Sequence, residues 1–148
     1  MAFRDTFAAG ASYYGIADIE MLMGDSHKFE SRYETRLVGT DPVVWRERSP
    51  IHSVGQIHVP VALFQGMEDK VVPPSQAAVI AEALADRGIP YVHVEYEGEG
   101  HGFRQAENVI RSLETELAFY GYVFGFTPAG GVSKVDLGPG IPDGATDG

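Results

Sequence analysis

Three short hydrophobic runs lie along the chain, and polar or amphipathic segments separate them. Residues 7–15, FAAGASYYG, are small, apolar and aromatic without alternation, which is typical of a strand covered on both faces of a parallel sheet. Residues 61–66, VALFQG, form a second run of this kind. In residues 91–98, YVHVEYEG, β-branched and aromatic residues alternate with polar ones. The pattern therefore predicts three strands.

Helical patterns lie between and after these strands. Residues 76–88, QAAVIAEALADRG, have apolar residues at helical spacing and end in glycine, a usual helix stop. A long amphipathic pattern covers residues 105–124. Residues 16–47 predict one or two short helices, followed at DPVVW by a turn into another. Ser49 and Pro50 predict the cap and the first position of a further short helix. The order β…βαβα predicts an α/β fold in which helices flank parallel strands.

The length and the composition indicate one domain followed by a tail. A chain of 148 residues that is 44% hydrophobic is long enough for one domain with a core and too short for two large ones. We assign residues 1–126 to this domain. Residues 127–148 consist mostly of Gly, Pro, Asp and small side chains, which bury too little apolar area to offset chain entropy. They predict a disordered C-terminal tail.

The charge and the hydropathy of the chain exclude two classes of partner. A net charge of -10 opposes binding to nucleic acid or to anionic lipid, both of which require clusters of Lys and Arg. No apolar run approaches the roughly 20 residues of a membrane span, and the start, MAFRDTF, lacks the order of a signal peptide. We expect no nucleic-acid or membrane partner and a soluble protein, with the cytoplasm as the default location.

The residue types that commonly bind metals are scarce or badly spaced. The chain has no cysteine, which excludes disulfides, thiolate zinc sites and a cysteine nucleophile within it. Four of its histidines lack ligand-like spacing to Asp or Glu. They are His27, His52, His58 and His93. We therefore expect no metal and no other cofactor.

Two loops with catalytic residue types follow successive predicted strands. Asp69 lies just past VALFQG in the loop GMEDKVVPP, and His101 lies just past YVHVEYEG in the loop GEGHGF. The functional groups of open parallel sheets gather beyond the carboxyl ends of the strands. An Asp and a His at such positions suit a Ser-His-Asp triad, in which the carboxylate orients the imidazole and stabilises the imidazolium.

Each of these positions also has an alternative interpretation. Asp69 suits a cap of the turn or helix that follows it, and its neighbour Glu68 is a second carboxylate that competes for the histidine. The alternative for His101 is a surface histidine. Tyr13 and Tyr14 end the first predicted strand and are candidates for a substrate pocket, although aromatic residues at strand ends are more often part of the core.

A family resemblance adds to this interpretation. The segments FRDTFAAGASYYG, RERSPIHSV, VALFQGMEDKVVPPSQA and VHVEYEGEGHGF resemble the last part of the catalytic domain of the prolyl oligopeptidase family, especially its acylaminoacyl-peptidase and dipeptidyl-peptidase-like branches. The resemblance covers residues 3–126. It implies the C-terminal portion of an α/β-hydrolase fold, with Asp69 as the triad acid and His101 as the base. It also implies serine-type hydrolysis of peptide or acyl-amino-acid bonds.

The nucleophile expected for such a hydrolase is missing from the sequence. It occupies a G-x-S-x-G elbow upstream of the acid and the base. Neither Ser12, in GASYYG, nor Ser26, in GDSHK, fits this motif. The resemblance places the elbow just before Met1, and the oxyanion-hole donors are expected to be missing with it, so we expect the chain alone to be inactive.

Two hypotheses about function therefore remain open. In the first, the chain is a C-terminal piece of a serine peptidase and acts on peptide or acyl-peptide substrates. Its partner is then the missing N-terminal half of the domain, or a second copy bound through the open edge of residues 7–15. In the second, it is a non-catalytic interaction or regulatory module with a hydrolase-derived fold.

Overall fold

The strands β1 (Gly10–Tyr13), β2 (Val61–Gly66) and β3 (Tyr91–Tyr96) form one parallel sheet in that order. The structure is a computed structural model that describes residues 6–25 and 31–130. Strand β2 is central: Gly10 lies opposite Val61, and Val61 lies opposite Tyr91. The predicted parallel sheet is confirmed.

Helices fill the connections and follow the last strand. They are α1 (Ile19–Asp25), α2 (Ser31–Val38), α3 (Pro42–Arg48), a 3-10 helix (Pro50–Gln56), α4 (Ser75–Asp86) and α5 (Ala106–Phe124). Helices α4 and α5 occupy the two segments with the clearest helical periodicity. The segment 16–47 was expected to hold one or two short helices and a further one after the turn at DPVVW, and α1, α2 and α3 begin within it.

Strands β1 and β3 end earlier than the sequence pattern predicts. Tyr14 has a backbone φ of 53°, in the left-handed region, so the chain leaves the sheet at this residue rather than at Gly15. Strand β3 ends at Tyr96, and a turn follows in which Gly98 has a φ of 73°. A glycine adopts this conformation without steric cost.

Ser49 precedes the 3-10 helix as predicted, but its hydroxyl does not cap that helix. The hydroxyl accepts a hydrogen bond from the N–H of Ile19 at 2.9 Å and donates one to the carbonyl of Trp45 at 2.7 Å. Ser49 therefore connects α1 to α3 from a fully buried position.

The core lies on both faces of the sheet. On one face Leu63 packs with Ile80 and Leu84 of α4, and on the other Phe64 packs with Phe119 of α5. All six residues of β2 are buried, as predicted for a strand covered on both faces. Complete burial of a Leu or Phe side chain contributes about 1.5–3 kcal/mol, so these two layers hold β2 and β3 in place.

Some predictions concern residues that the structure does not describe. The predicted disordered tail falls almost entirely on residues 131–148, which lie outside the described residues, as do Ser26 and His27. Within residues 6–25 and 31–130, no helix is long and apolar enough to cross a membrane.

Candidate active site

The loop after β2 holds Asp69 in a fixed orientation. Its N–H donates to the carbonyl of Gly66 at 3.3 Å, which closes a tight turn. One carboxylate oxygen, Oδ1, accepts the N–H groups of Val71 and Val72, both at 2.9 Å. The side chain is fully buried, whereas that of the adjacent Glu68 is exposed. Of the two neighbouring acids, Asp69 is therefore the one directed into the fold.

The loop after β3 lies directly against the end of β2. The N–H of Glu68 donates to the carbonyl of Glu99 at 2.8 Å, and that of Met67 donates to the carbonyl of Tyr96 at 3.0 Å. A side chain at Gly66 would not fit, because a Cβ atom there would lie 2.5 Å from the carbonyl oxygens of Glu99 and Gly100. This glycine allows the two loops to touch.

The structure brings Asp69 and His101 together. The distance between Asp69 Oδ2 and His101 Nδ1 is 2.9 Å. When Nδ1 carries the proton, the imidazole donates to the carboxylate, and Nε2 keeps a lone pair that can accept a proton from another group. The His101 side chain is 43% exposed and that of Asp69 is 0% exposed. Such a pair can work as a general base oriented by a buried acid.

The capping and catalytic interpretations of Asp69 describe different oxygens of one carboxylate. Oδ1 accepts the turn N–H groups of Val71 and Val72, and Oδ2 faces His101. The turn that Asp69 caps is therefore the structure that aims its second oxygen at the imidazole.

Glu99 holds the His101 loop and was missed by the sequence analysis. Its buried carboxylate accepts the N–H groups of Arg104 at 2.8 Å and Gln105 at 2.9 Å, and the side-chain amide of Asn108 at 2.9 Å. Burial would raise the pKa of Glu99, but these hydrogen bonds and the charge of Arg104 hold the pKa below its ordinary value. The ionised side chain thus connects the loop to the first turn of α5.

The two tyrosines at the end of β1 have different environments. The ring of Tyr13 stacks on Phe64 at 4.5 Å between centroids, and its hydroxyl donates to Glu116 at 2.6 Å, so it belongs to the core. The ring of Tyr14 lies 5.2 Å from that of His101, and its hydroxyl accepts the N–H of Phe103 at 3.1 Å. Tyr14 therefore forms part of the surroundings of His101.

Other candidate groups lie elsewhere. Ser12 lines an apolar cavity of about 140 Å³ with residues such as Leu63 and Ile80, and His101 is not among the lining residues. In the part of the chain that the structure describes, no three His, Asp or Glu side chains are grouped to hold a metal ion.

The sequence and the fold assign the chain to a family. A sequence model described as the prolyl oligopeptidase family matches residues 1–127. The chain belongs to the prolyl oligopeptidase family. Dipeptidyl aminopeptidase BIII of Pseudoxanthomonas mexicana, a relative by sequence, is 30% identical over 112 residues, which are 70% of this chain and 16% of that protein.

Solved structures agree with the family assignment. A puromycin-hydrolysing peptidase of Mycobacterium tuberculosis is 46% identical, with a TM-score of 0.82 over 87% of this chain and 20% of that one. An acylaminoacyl peptidase in complex with a peptidyl chloromethyl ketone is 20% identical, with a TM-score of 0.77 over 91% of this chain and 22% of that one. The second likeness concerns the fold alone. Together they confirm a portion of an α/β-hydrolase fold, and the chain spans about a fifth of each of these two proteins.

Proposed function

We propose that this chain supplies the acid Asp69 and the base His101 of a serine hydrolase that cleaves peptide or acyl-amino-acid bonds. The observation that carries the proposal is the contact of 2.9 Å between the buried Asp69 carboxylate and Nδ1 of the half-exposed His101. Membership of a peptidase family supports it.

In this mechanism His101 moves protons and Asp69 keeps its charge. Nε2 of His101 takes the proton of a serine hydroxyl as the oxygen attacks the carbonyl carbon, and later gives that proton to the leaving amine. The Asp69 carboxylate stabilises the imidazolium that exists between these two steps. The serine and the oxyanion-hole donors come from outside these 148 residues, since no serine of the chain stands in a G-x-S-x-G motif.

A chimera tests the two roles directly. In it, residues 1–127 of this chain replace the matching part of the mycobacterial peptidase, which is named for the hydrolysis of puromycin and serves as the positive control. We expect the chimera to hydrolyse puromycin. Asp69→Asn should lower kcat by about 10³–10⁴-fold, because the amide favours the wrong tautomer of His101. The matched control Glu68→Gln, at the exposed neighbouring acid, should leave kcat unchanged.

Two results would contradict the proposal. Full activity of the Asp69→Asn chimera would remove Asp69 from the mechanism. A folded chimera without activity would favour the alternative of a non-catalytic interaction or regulatory module.

The isolated chain provides a complementary test of where the nucleophile lies. The purified 148-residue protein should not react with a fluorophosphonate probe, because a base and an acid without an activated serine form no acyl-enzyme. Stoichiometric labelling of one serine, located by mass spectrometry, would show that a nucleophile lies within the chain after all.

A further inference from the structure

Gln65 is a completely buried polar residue at the end of the apolar strand β2. Its amide nitrogen lies 3.1 Å from the carbonyl oxygens of both Gly66 and Val72, and 3.4 Å from Oδ2 of Asp69. All three partners are hydrogen-bond acceptors. The orientation of the amide is therefore fixed, because its own oxygen could bond to none of them.

The contacts of Gln65 enclose the Asp69 loop. Gly66 precedes Asp69 and Val72 follows it, so one NH₂ group joins the two ends of the turn and also touches the carboxylate at its centre. Oδ2 is the oxygen that faces His101. Oδ1 accepts the N–H groups of Val71 and Val72, and Oδ2 lies beside the Gln65 amide and the imidazole, so each carboxylate oxygen has two nitrogen neighbours.

The bonds of the amide nitrogen to the carbonyls of Gly66 and Val72 stabilise the turn, but they do not account for the other end of the amide. Its oxygen Oε1 is buried and has no hydrogen-bond partner among the described residues. Such an atom carries an uncompensated loss of hydration, which offsets part of what the two hydrogen bonds of the amide nitrogen contribute. A buried polar group that is only partly satisfied calls for an explanation, and a role beside the candidate active site is one such explanation.

We propose that Gln65 is a positioning residue that keeps Oδ2 of Asp69 directed at Nδ1 of His101. This inference deepens the proposed function and rests on it. The amide acts through Asp69 and does not contact His101 in any hydrogen bond of the described structure. Without it, the carboxylate would keep the two backbone donors on Oδ1 but could rotate its other oxygen away from the imidazole.

The test is a proton NMR measurement on the 148-residue chain, with the exchange rate of the His101 Hδ1 proton as the readout. Gln65→Met removes the amide and keeps a similar volume. We expect Hδ1 to exchange about tenfold faster in this variant, the factor that corresponds to the loss of roughly one hydrogen bond. An unchanged exchange rate would overturn the proposal.

Gln76 provides a matched control. It is equally buried, and in the described part of the chain its side chain bonds to the backbone of Ala17 and Asp18. Gln76→Met should lower the free energy of unfolding, but it should leave the exchange rate of the His101 Hδ1 proton in the folded protein unchanged. Equal acceleration in both variants would show that Gln65 has only a general structural role and would also overturn the proposal.

Asp69→Asn separates the positioning role from the proposed function. If Hδ1 exchange is unaffected by Asp69→Asn, the hydrogen bond between Asp69 and His101 is contradicted. The proposed role of Gln65 is then contradicted as well. If Asp69→Asn accelerates exchange and Gln65→Met does not, only the role of Gln65 fails. Should Gln65→Met not fold, the side-chain amide protons of Gln65 in Asp69→Asn provide the readout. The chemical shifts of these Gln65 protons should change, while those of the Gln76 amide protons should not. Unchanged chemical shifts for the Gln65 amide protons would overturn the proposal.

Discussion

The sheet has a well-covered half, formed by β2 and β3 with α4 and α5, and a less covered half, formed by β1 and the connection that follows it. Every residue of β2 is buried, whereas all four residues of β1 are partly exposed. Helix α4 has five buried residues, but α3, in the connection between β1 and β2, has none. Both loops of the candidate active site leave the well-covered half. The geometry of Asp69 and His101 therefore depends mainly on β2, β3, α4 and α5.

The largest effect should come from a cavity in the well-covered half. Leu84 of α4 is 0% exposed and packs in the core beneath β2. We expect Leu84→Ala to lower the free energy of unfolding by about 2–5 kcal/mol, because transfer free energy and packing are lost together. Leu37→Ala in α2, where the side chain is 59% exposed, should change it by less than about 0.5 kcal/mol. Equal losses in urea denaturation would mean that the two halves are similarly packed.

A substitution at the contact between the two loops should have the next largest effect. The Cβ of Gly66→Ala would overlap two backbone carbonyls, which cannot move as a flexible side chain can. We expect a loss of about 1–3 kcal/mol and a displaced His101 loop. The comparison is Gly24→Ala in α1, where a Cβ meets nothing within 4 Å. That change should stabilise the protein by up to about 1 kcal/mol. In thermal melts, the melting temperature should fall for Gly66→Ala and rise for Gly24→Ala. An unchanged melting temperature for Gly66→Ala would contradict the close approach of Gly66 to the carbonyls of the His101 loop.

Glu99 should make the stability of the His101 loop depend on acid pH. Its folded-state pKa is lowered, so its contribution is present above the ordinary value of 4.5 and is lost as pH falls below it. Glu99→Gln should therefore melt at a lower temperature than wild type at pH 7, with the difference narrowing towards pH 3. Glu97→Gln changes an exposed acid in the same loop and should follow the wild type. A pH-independent difference for Glu99→Gln would contradict this role.

The smallest expected effect concerns His93 in β3. Burial lowers the pKa of His93, against the opposing charge of Glu95. Because the unfolded chain then binds the proton more readily, stability is full above about pH 6.5 and falls as the pH decreases. His93→Val should reduce this loss between pH 7 and pH 5. Melting curves of both proteins across this range check the prediction, and parallel curves would rule it out.

The sequence predicted those elements of the fold that have a clear hydrophobic periodicity or a clear stop signal at their end. Residues 61–66 and the helices α4 and α5 follow hydrophobic patterns that packing then preserved. The early end of β1 was not predictable, because nothing in the letters marks Tyr14 for a left-handed backbone. The three helices of the first connection lack an apolar stripe long enough to define their number.

The site was partly predictable for a similar reason. Asp69 and His101 could be located because loops after neighbouring parallel strands converge at one edge of the sheet. Gln65 and Glu99 were missed, because their burial depends on partners that only the fold brings near. One signal was available: a polar residue at the end of a strand covered on both faces needs hydrogen-bond partners, so Gln65 marked a polar contact beneath the Asp69 loop.

The order in which the strands pair during folding depends on how each parallel connection packs on the sheet. Gly10 pairs with a residue about 50 positions later in the chain, and Val61 pairs with one about 30 positions later. The difference in loop length alone is worth only about 0.5 kcal/mol, so packing decides which pair closes first. The connection between β2 and β3 is α4, which buries its apolar face on them. We therefore expect β2, α4 and β3 to form the folding nucleus, and the Asp69–His101 contact to assemble before β1 joins the sheet.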